Sequence, residues 1–180
     1  MKFVETSLKG AYLIEIEPIS DHRGFFARSW CEQEFGEHGL NSNLVQCNIS
    51  FNTKKATLRG MHYQIKPHEE AKLVRCTQGS IYDVIIDIRP NSLTFKSWFS
   101  IELSATNRQM LYIPEGFAHG FQTLEDNTEV FYQMSNFYHG ESARGLKWND
   151  PSFKINWLLT ENIIISKKDQ NYPNFSFYEL

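Results

Sequence analysis

The stretch Gln109-Met110-Leu111-Tyr112-Ile113-Pro114-Glu115-Gly116-Phe117-Ala118-His119-Gly120-Phe121-Gln122-Thr123-Leu124-Glu125-Asp126-Asn127-Thr128-Glu129-Val130-Phe131-Tyr132-Gln133-Met134-Ser135 holds three strand-like runs separated by two turn signals. Gln109 to Ile113, Phe117 to Leu124 and Thr128 to Ser135 are each too short for a stable helix and are rich in apolar residues with two-residue alternation. Pro114-Glu115-Gly116 forms a sharp turn between the first two, and Glu125-Asp126-Asn127 separates the second from the third. Working toward the N-terminus, Leu44 to Phe51, Thr57 to Tyr63, Ala71 to Cys76, Ile81 to Ile88 and Trp98 to Leu103 read the same way. Their separators include Gly79, Pro90-Asn91-Ser92 and Ala105-Thr106-Asn107. Eight short strands with no helix-length pattern between them exclude a βαβ architecture. Hairpin and Greek-key connections in an all-β barrel or jelly roll follow.

The flanks add little regular structure. Tyr12 to Glu17 alternates and then meets Pro18, which predicts an early strand. Ser29 and Glu32 have the spacing of a capping box, and Phe35 lies one turn after Cys31, so a short helix is expected over about Trp30 to His38, ended by Gly39. The tail beyond Ser152 mixes Trp157-Leu158-Leu159 and Ile163-Ile164-Ile165 with the polar Ser166-Lys167-Lys168-Asp169, a pattern compatible with helix or strand. At 180 residues and 21.1 kDa one core is expected, in a single domain over residues 1–180. A hydrophobic fraction of 41% with 22% charged residues and a mean hydropathy of -0.43 fits a globular protein and argues against disorder. Eighteen basic against twenty-one acidic residues leave a formal charge of -3, unlike a dedicated nucleic-acid or membrane-surface binder. Cys31, Cys47 and Cys76 form no close pair and suit a reducing compartment. With no apolar leader in Met1 to Gly10 and no membrane-length apolar run, the expected location is the cytoplasm.

The chemistry concentrates inside strand-like runs. In Arg59-Gly60-Met61-His62-Tyr63-Gln64, strict alternation places Arg59, Met61 and Tyr63 on one face and Gly60, His62 and Gln64 on the other, unless a bulge intervenes. Lys72 is in phase with Val74, and Asp83 and Asp87 interrupt an otherwise apolar run. His119 is bracketed by Phe117 and Phe121, while Tyr132 shares its phase with Val130 and Met134. Two histidines, a lysine and tyrosines in one small sheet-rich domain suit proton transfer, since imidazole titrates near neutrality and a phenol can donate to a carbanion. From the residues alone, other readings stand beside it: metal ligation, a satisfied barrel-rim histidine, a solvent-facing lysine and a tyrosine that only packs.

Taken together, Asp21-His22-Arg23-Gly24-Phe25-Phe26, Arg59 to Gln64, Lys72-Leu73-Val74-Arg75, Ile113 to Phe121, Trp148-Asn149-Asp150 and Ser166 to Asp169 resemble the dTDP-4-dehydrorhamnose 3,5-epimerase family of the cupin superfamily. The resemblance covers nearly the whole chain. It implies a double-stranded β-helix with short flanking helices, a homodimer, and a barrel that holds a nucleoside-diphosphate 4-keto sugar with no cofactor and no metal. It further implies that His62 is the base, Asp169 its orienting carboxylate, Tyr132 the acid on the opposite sugar face, and Lys72 the stabiliser of the enolate oxygen. Arg59 and His119 line the same cavity in this reading, and Arg23, Arg28, Gln46, Asn48 and Tyr138 belong to the sugar, base or phosphate contacts, some reaching across the dimer interface.

Two departures shape the expectation. Compared with metal-binding cupins, Gln64 and Lys72 stand where ligands are found, and a cation opposes metal binding. Arg28 stands where the thymidine-linked enzymes frequently carry an acidic residue. The expected reaction is inversion of C3, C5 or both in a nucleotide-linked 4-keto-6-deoxy hexose, converting dTDP-4-dehydro-6-deoxyglucose to dTDP-4-dehydrorhamnose. The competing readings are a single-centre epimerase on a GDP- or CDP-linked sugar, a non-catalytic sugar-nucleotide binder, and a metal-dependent cupin.

Overall fold

The computed structural model describes residues 1–176. In chain order the elements are β1 (Lys2–Glu5), β2 (Tyr12–Glu15), β3 (Ile19–Asp21), β4 (Gly24–Phe26), α1 (Glu32–Glu37), β5 (Gln46–Asn52), β6 (Thr57–Gln64), β7 (Lys72–Gln78), β8 (Ser80–Asp87), β9 (Trp98–Ser104), β10 (Met110–Ile113), β11 (Phe117–Thr123), β12 (Thr128–Met134), β13 (Ala143–Gly145), β14 (Ile164–Ile165) and α2 (Lys167–Gln170). Each of the eight expected central runs forms a strand, within about two residues of its expected ends. They assemble into two sheets, ordered β1-β2-β10-β7-β12-β5 and β13-β6-β11-β8-β9, with β14 alongside β6 and a separate β3-β4 hairpin. Every pairing is antiparallel except β14 with β6. Neighbours distant in sequence, such as β10 beside β7, are the crossovers of the double-stranded β-helix.

The core lies between the sheets. Val74, Cys76, Leu111 and Val130 from one sheet meet Ile81, Ile85, Leu103, Phe117 and Phe121 from the other, all at 5% exposure or less. Because side chains alternate along a strand, the phase that buries Val74 and Cys76 also turns Lys72 inward, and the phase that buries Val130 turns Tyr132 inward. The outer faces are covered separately. Helix α1 packs Phe35 against Ile14, Leu73, Met110 and Tyr112, a burial that contributes about 1.5–3 kcal/mol. On the other sheet, Leu146, Phe153 and Trp157 from the long C-terminal segment cover Leu58, Met61, Val84 and Ile86. That segment is mostly irregular chain held by contacts such as the Trp157 indole donating to the Trp148 carbonyl at 2.9 Å.

Two local expectations are corrected. Helix α1 spans only Glu32–Glu37; its N-cap is Cys31, with no side-chain cap, so Ser29 and Glu32 form no capping box. The burial of Phe35 and the Phe35 N–H bond to the Cys31 carbonyl set its place instead. The second correction concerns β6. Against β11, His119 pairs with His62 but Phe121 pairs with Arg59, so three steps on β6 face two on β11. The extra residue restores the alternation one position out of phase: Leu58 and Met61 share the outer cluster, while Arg59 and His62 both turn to the inner side. Gly60 and Gly120 make this crossing possible. Gly60 has φ +133°, and a Cβ there would lie 2.5 Å from the Gly120 Cα.

Candidate active site

A cavity of about 690 Å³ opens between the sheets, and both walls supply polar side chains. β6 and β11 contribute Arg59, His62, Gln64 and His119; β5, β7 and β12 contribute Gln46, Asn48, Lys72 and Tyr132. The volume suits a drug-sized polar ligand.

His62 is half-exposed at the cavity wall, with a buried carboxylate behind it. Its Nε2 lies 2.9 Å from Asp169 Oδ1. Ser166 caps the short helix α2 by accepting from the Asp169 N–H at 3.0 Å, which fixes the carboxylate in the first turn. Asp169 Oδ2 accepts from the Gly60 N–H at 3.3 Å. Burial disfavours the Asp169 anion, but the hydrogen bonds from His62 and Gly60 outweigh it and hold the carboxyl below the usual range. A carboxylate accepting from one ring nitrogen leaves the opposite nitrogen with the lone pair. Tyr172 packs its ring edge-on against the imidazole, 5.8 Å between centroids, and Gly145 leaves it room: a Cβ there would run into the tyrosine ring.

A second histidine–carboxylate pair stands beside the first. His119 is the direct cross-strand partner of His62, and its Nε2 lies 2.8 Å from Oδ1 of the fully buried Asp83. Across the cavity, Lys72 and Tyr132 occupy adjacent strands of the opposite sheet. The Lys72 ammonium is paired with Glu70 Oε1 at 3.0 Å. The Tyr132 phenol is held protonated to higher pH than usual, mainly by burial; the Glu70 charge adds to this and Arg59 opposes it. Arg59 is anchored by its Nε donating to Asn52 Oδ1 at 2.7 Å. The Gln46 carboxamide donates to Asn48 Oδ1 and accepts the Tyr138 N–H, fixing the loop that carries the exposed Tyr138 ring at the cavity wall.

Nine of the expected residues therefore gather here: eight line the cavity, and Asp169 lies behind His62. Arg23 and Arg28 do not. Arg23 sits at the β3-β4 turn and clamps Asp21, and Arg28 donates to Glu34 Oε1 at 2.7 Å; neither lines the cavity of its own chain. Residues that sequence reasoning missed are Glu70, Asp83, Arg144, Lys168 and Tyr172. Asp83 had a signal, a carboxylate within an apolar strand. Lys168 and Tyr172 had none, because they belong to the tail whose conformation the pattern leaves open. Among the described residues no three His, Cys, Asp or Glu side chains converge as a ligand set, and no helix is long and apolar enough to cross a membrane.

A double-stranded β-helix with paired histidine–carboxylate groups, a lysine and a half-buried tyrosine around one polar cavity defines a cupin-type protein whose cavity can support acid–base chemistry. The family model for dTDP-4-dehydrorhamnose 3,5-epimerase matches residues 5–176. The chain is 43% identical over 172 residues to the dTDP-4-dehydrorhamnose 3,5-epimerase of Escherichia coli K12, covering 94% of this chain and 92% of that one. It superposes with a TM-score of 0.95 on the crystal structure of the enzyme of that name from Elizabethkingia anophelis, at 44% identity and with 97% and 96% of the two chains covered. The Legionella pneumophila dTDP-6-deoxy-D-glucose-3,5-epimerase, solved in complex with dTDP-4-keto-L-rhamnose, gives a TM-score of 0.90 at 35% identity over 96% of this chain and 92% of that one. The chain belongs to the dTDP-4-dehydrorhamnose 3,5-epimerase family.

Proposed function

We propose that His62 and Tyr132 exchange protons with opposite faces of the sugar ring in a nucleoside-diphosphate 4-keto-6-deoxy hexose, converting dTDP-4-dehydro-6-deoxyglucose to dTDP-4-dehydrorhamnose. The 4-keto group acidifies the C3 and C5 hydrogens, because the carbanion delocalises onto the carbonyl oxygen as an enolate. His62, its tautomer held by Asp169, takes the proton. Lys72 and His119 stabilise the enolate oxygen. Tyr132 then delivers a proton from the other wall, and the centre inverts. Each inversion moves one proton from carbon to His62 and one from Tyr132 to carbon, and exchange with solvent resets both groups; two inversions need two such cycles. No redox cofactor enters this proton balance.

The observation that carries this reading is that His62 projects from β6 and Tyr132 from β12, on opposite sheets facing one cavity. Arg59, Lys168 and Arg144 offer cations along the same cavity for the diphosphate, and the Tyr138 ring offers a face for the base. The enzyme acts as a homodimer in this reading, in the cytoplasm and as one domain. Exposed Ile19, Phe25 and Phe26 on the β3-β4 hairpin, and Ile49 and Phe51 on the edge strand β5, supply the apolar surface a second copy would cover. Arg23 and Arg28 then serve the site of that second copy.

His62→Asn and Tyr132→Phe test the two roles separately. His62→Asn should lose both inversion and solvent-proton exchange at the sugar carbons. Tyr132→Phe should lose inversion more than exchange. A folded His62→Asn protein that inverts at the unaltered rate would remove the histidine from the mechanism.

A further inference from the structure

Glu70 stands two residues before Lys72, at the entry to β7. Its side chain is 4% exposed and that of Lys72 10% exposed, and the two form an ion pair of 3.0 Å at the cavity wall. The second carboxylate oxygen, Oε2, is buried and accepts no hydrogen bond from the described residues. Taking a carboxylate out of water with one oxygen unsatisfied is costly, and an amide or apolar side chain would close the wall at lower cost. The negative charge therefore needs a use. Strand β7 lies directly beside β12, where Met134 is the register partner of Lys72 and Tyr132 that of Val74. Lys72 and Tyr132 are thus neighbours on one inner wall. A lysine ammonium on four flexible methylenes ranges widely unless an acceptor fixes it.

We propose that Glu70 is a positioning residue of the proton-transfer site: its ion pair fixes the Lys72 ammonium at the cavity wall beside Tyr132. The inference rests on the reading that Lys72 steadies the enolate and Tyr132 donates the proton.

Two variants grade the interaction. Glu70→Gln keeps only a neutral acceptor for Lys72, and kcat should fall about threefold or more with KM within about twofold. Glu70→Leu removes the acceptor as well, and kcat should fall about tenfold or more with KM within about twofold. An unchanged kcat in a folded Glu70→Leu would overturn the proposal. If Glu70→Leu does not fold, the Glu70→Gln kcat decides alone, and a value equal to the parent's would overturn it. Full inversion activity in Tyr132→Phe would instead overturn the underlying reading, so the two failures are distinguishable.

Discussion

Replacing Asp169 by Asn removes one charge and one acceptor oxygen while conserving shape. In the native site the carboxylate accepts from His62 at 2.9 Å and from the Gly60 N–H at 3.3 Å, and it is 5% exposed. A hydrogen bond to a charged group is worth about 1.5–3 kcal/mol. When the proton leaves carbon, His62 becomes an imidazolium whose counter-charge is Asp169, so most of that energy is realised in the transition state rather than in the resting enzyme. At about 1.4 kcal/mol per factor of ten, kcat should fall roughly 10- to 150-fold. KM should change little, because Asp169 lies behind His62 rather than at the cavity surface. Steady-state turnover combined with deuterium uptake from solvent reads both quantities, and far-UV circular dichroism with a urea midpoint checks that the fold survives. A folded Asp169→Asn enzyme with kcat within threefold of the parent would refute the idea that the carboxylate stabilises a charged His62.

Acid should weaken the fold. Hydrogen bonds, including those Arg89 donates to Asp87, hold the buried Asp87 and Asp169 carboxyls below their ordinary values despite the opposing effect of burial. With native values below the unfolded value of about 3.9, their stabilisation is complete above that pH and is lost as pH falls through the native values. The urea midpoint at pH 3 should therefore lie below that at pH 6, and an unchanged midpoint would contradict this. Gly60→Ala should destabilise by roughly 3 kcal/mol or more, because it forces a Cβ into 2.5 Å contact with the Gly120 Cα at a φ of +133°. A Gly60→Ala protein with the parent melting temperature would show that the β6-β11 crossing tolerates a side chain.

Where alternation runs unbroken, the cavity wall was legible in the sequence. Lys72 follows Val74 and Tyr132 follows Val130 into the barrel because each strand keeps its period of two through those positions. Strict alternation alone puts Arg59 opposite His62, and the resemblance puts both in the cavity; the inserted residue in β6 resets the phase between Leu58 and Met61, and a bulge leaves no periodic trace beyond two glycines. Asp169 lies 107 residues from its partner His62. No local pattern joins them, and only the family resemblance pointed to the pair. The β3-β4 hairpin escaped notice because three-residue strands with every residue exposed carry no burial signal. The C-terminal tail was unreadable for a related reason: its apolar residues cover the outer face of a sheet as irregular chain, held by sites such as the Trp148 carbonyl rather than by a repeat.

The account turns on a proton leaving one face of the sugar and another arriving on the other. Incubation with dTDP-4-dehydro-6-deoxyglucose in D₂O, followed by NMR of the product, tests this directly. Deuterium at C3 and C5 of a product with both centres inverted is the predicted result. Recovery of the starting sugar undeuterated, from an enzyme shown to bind it, would contradict the claim.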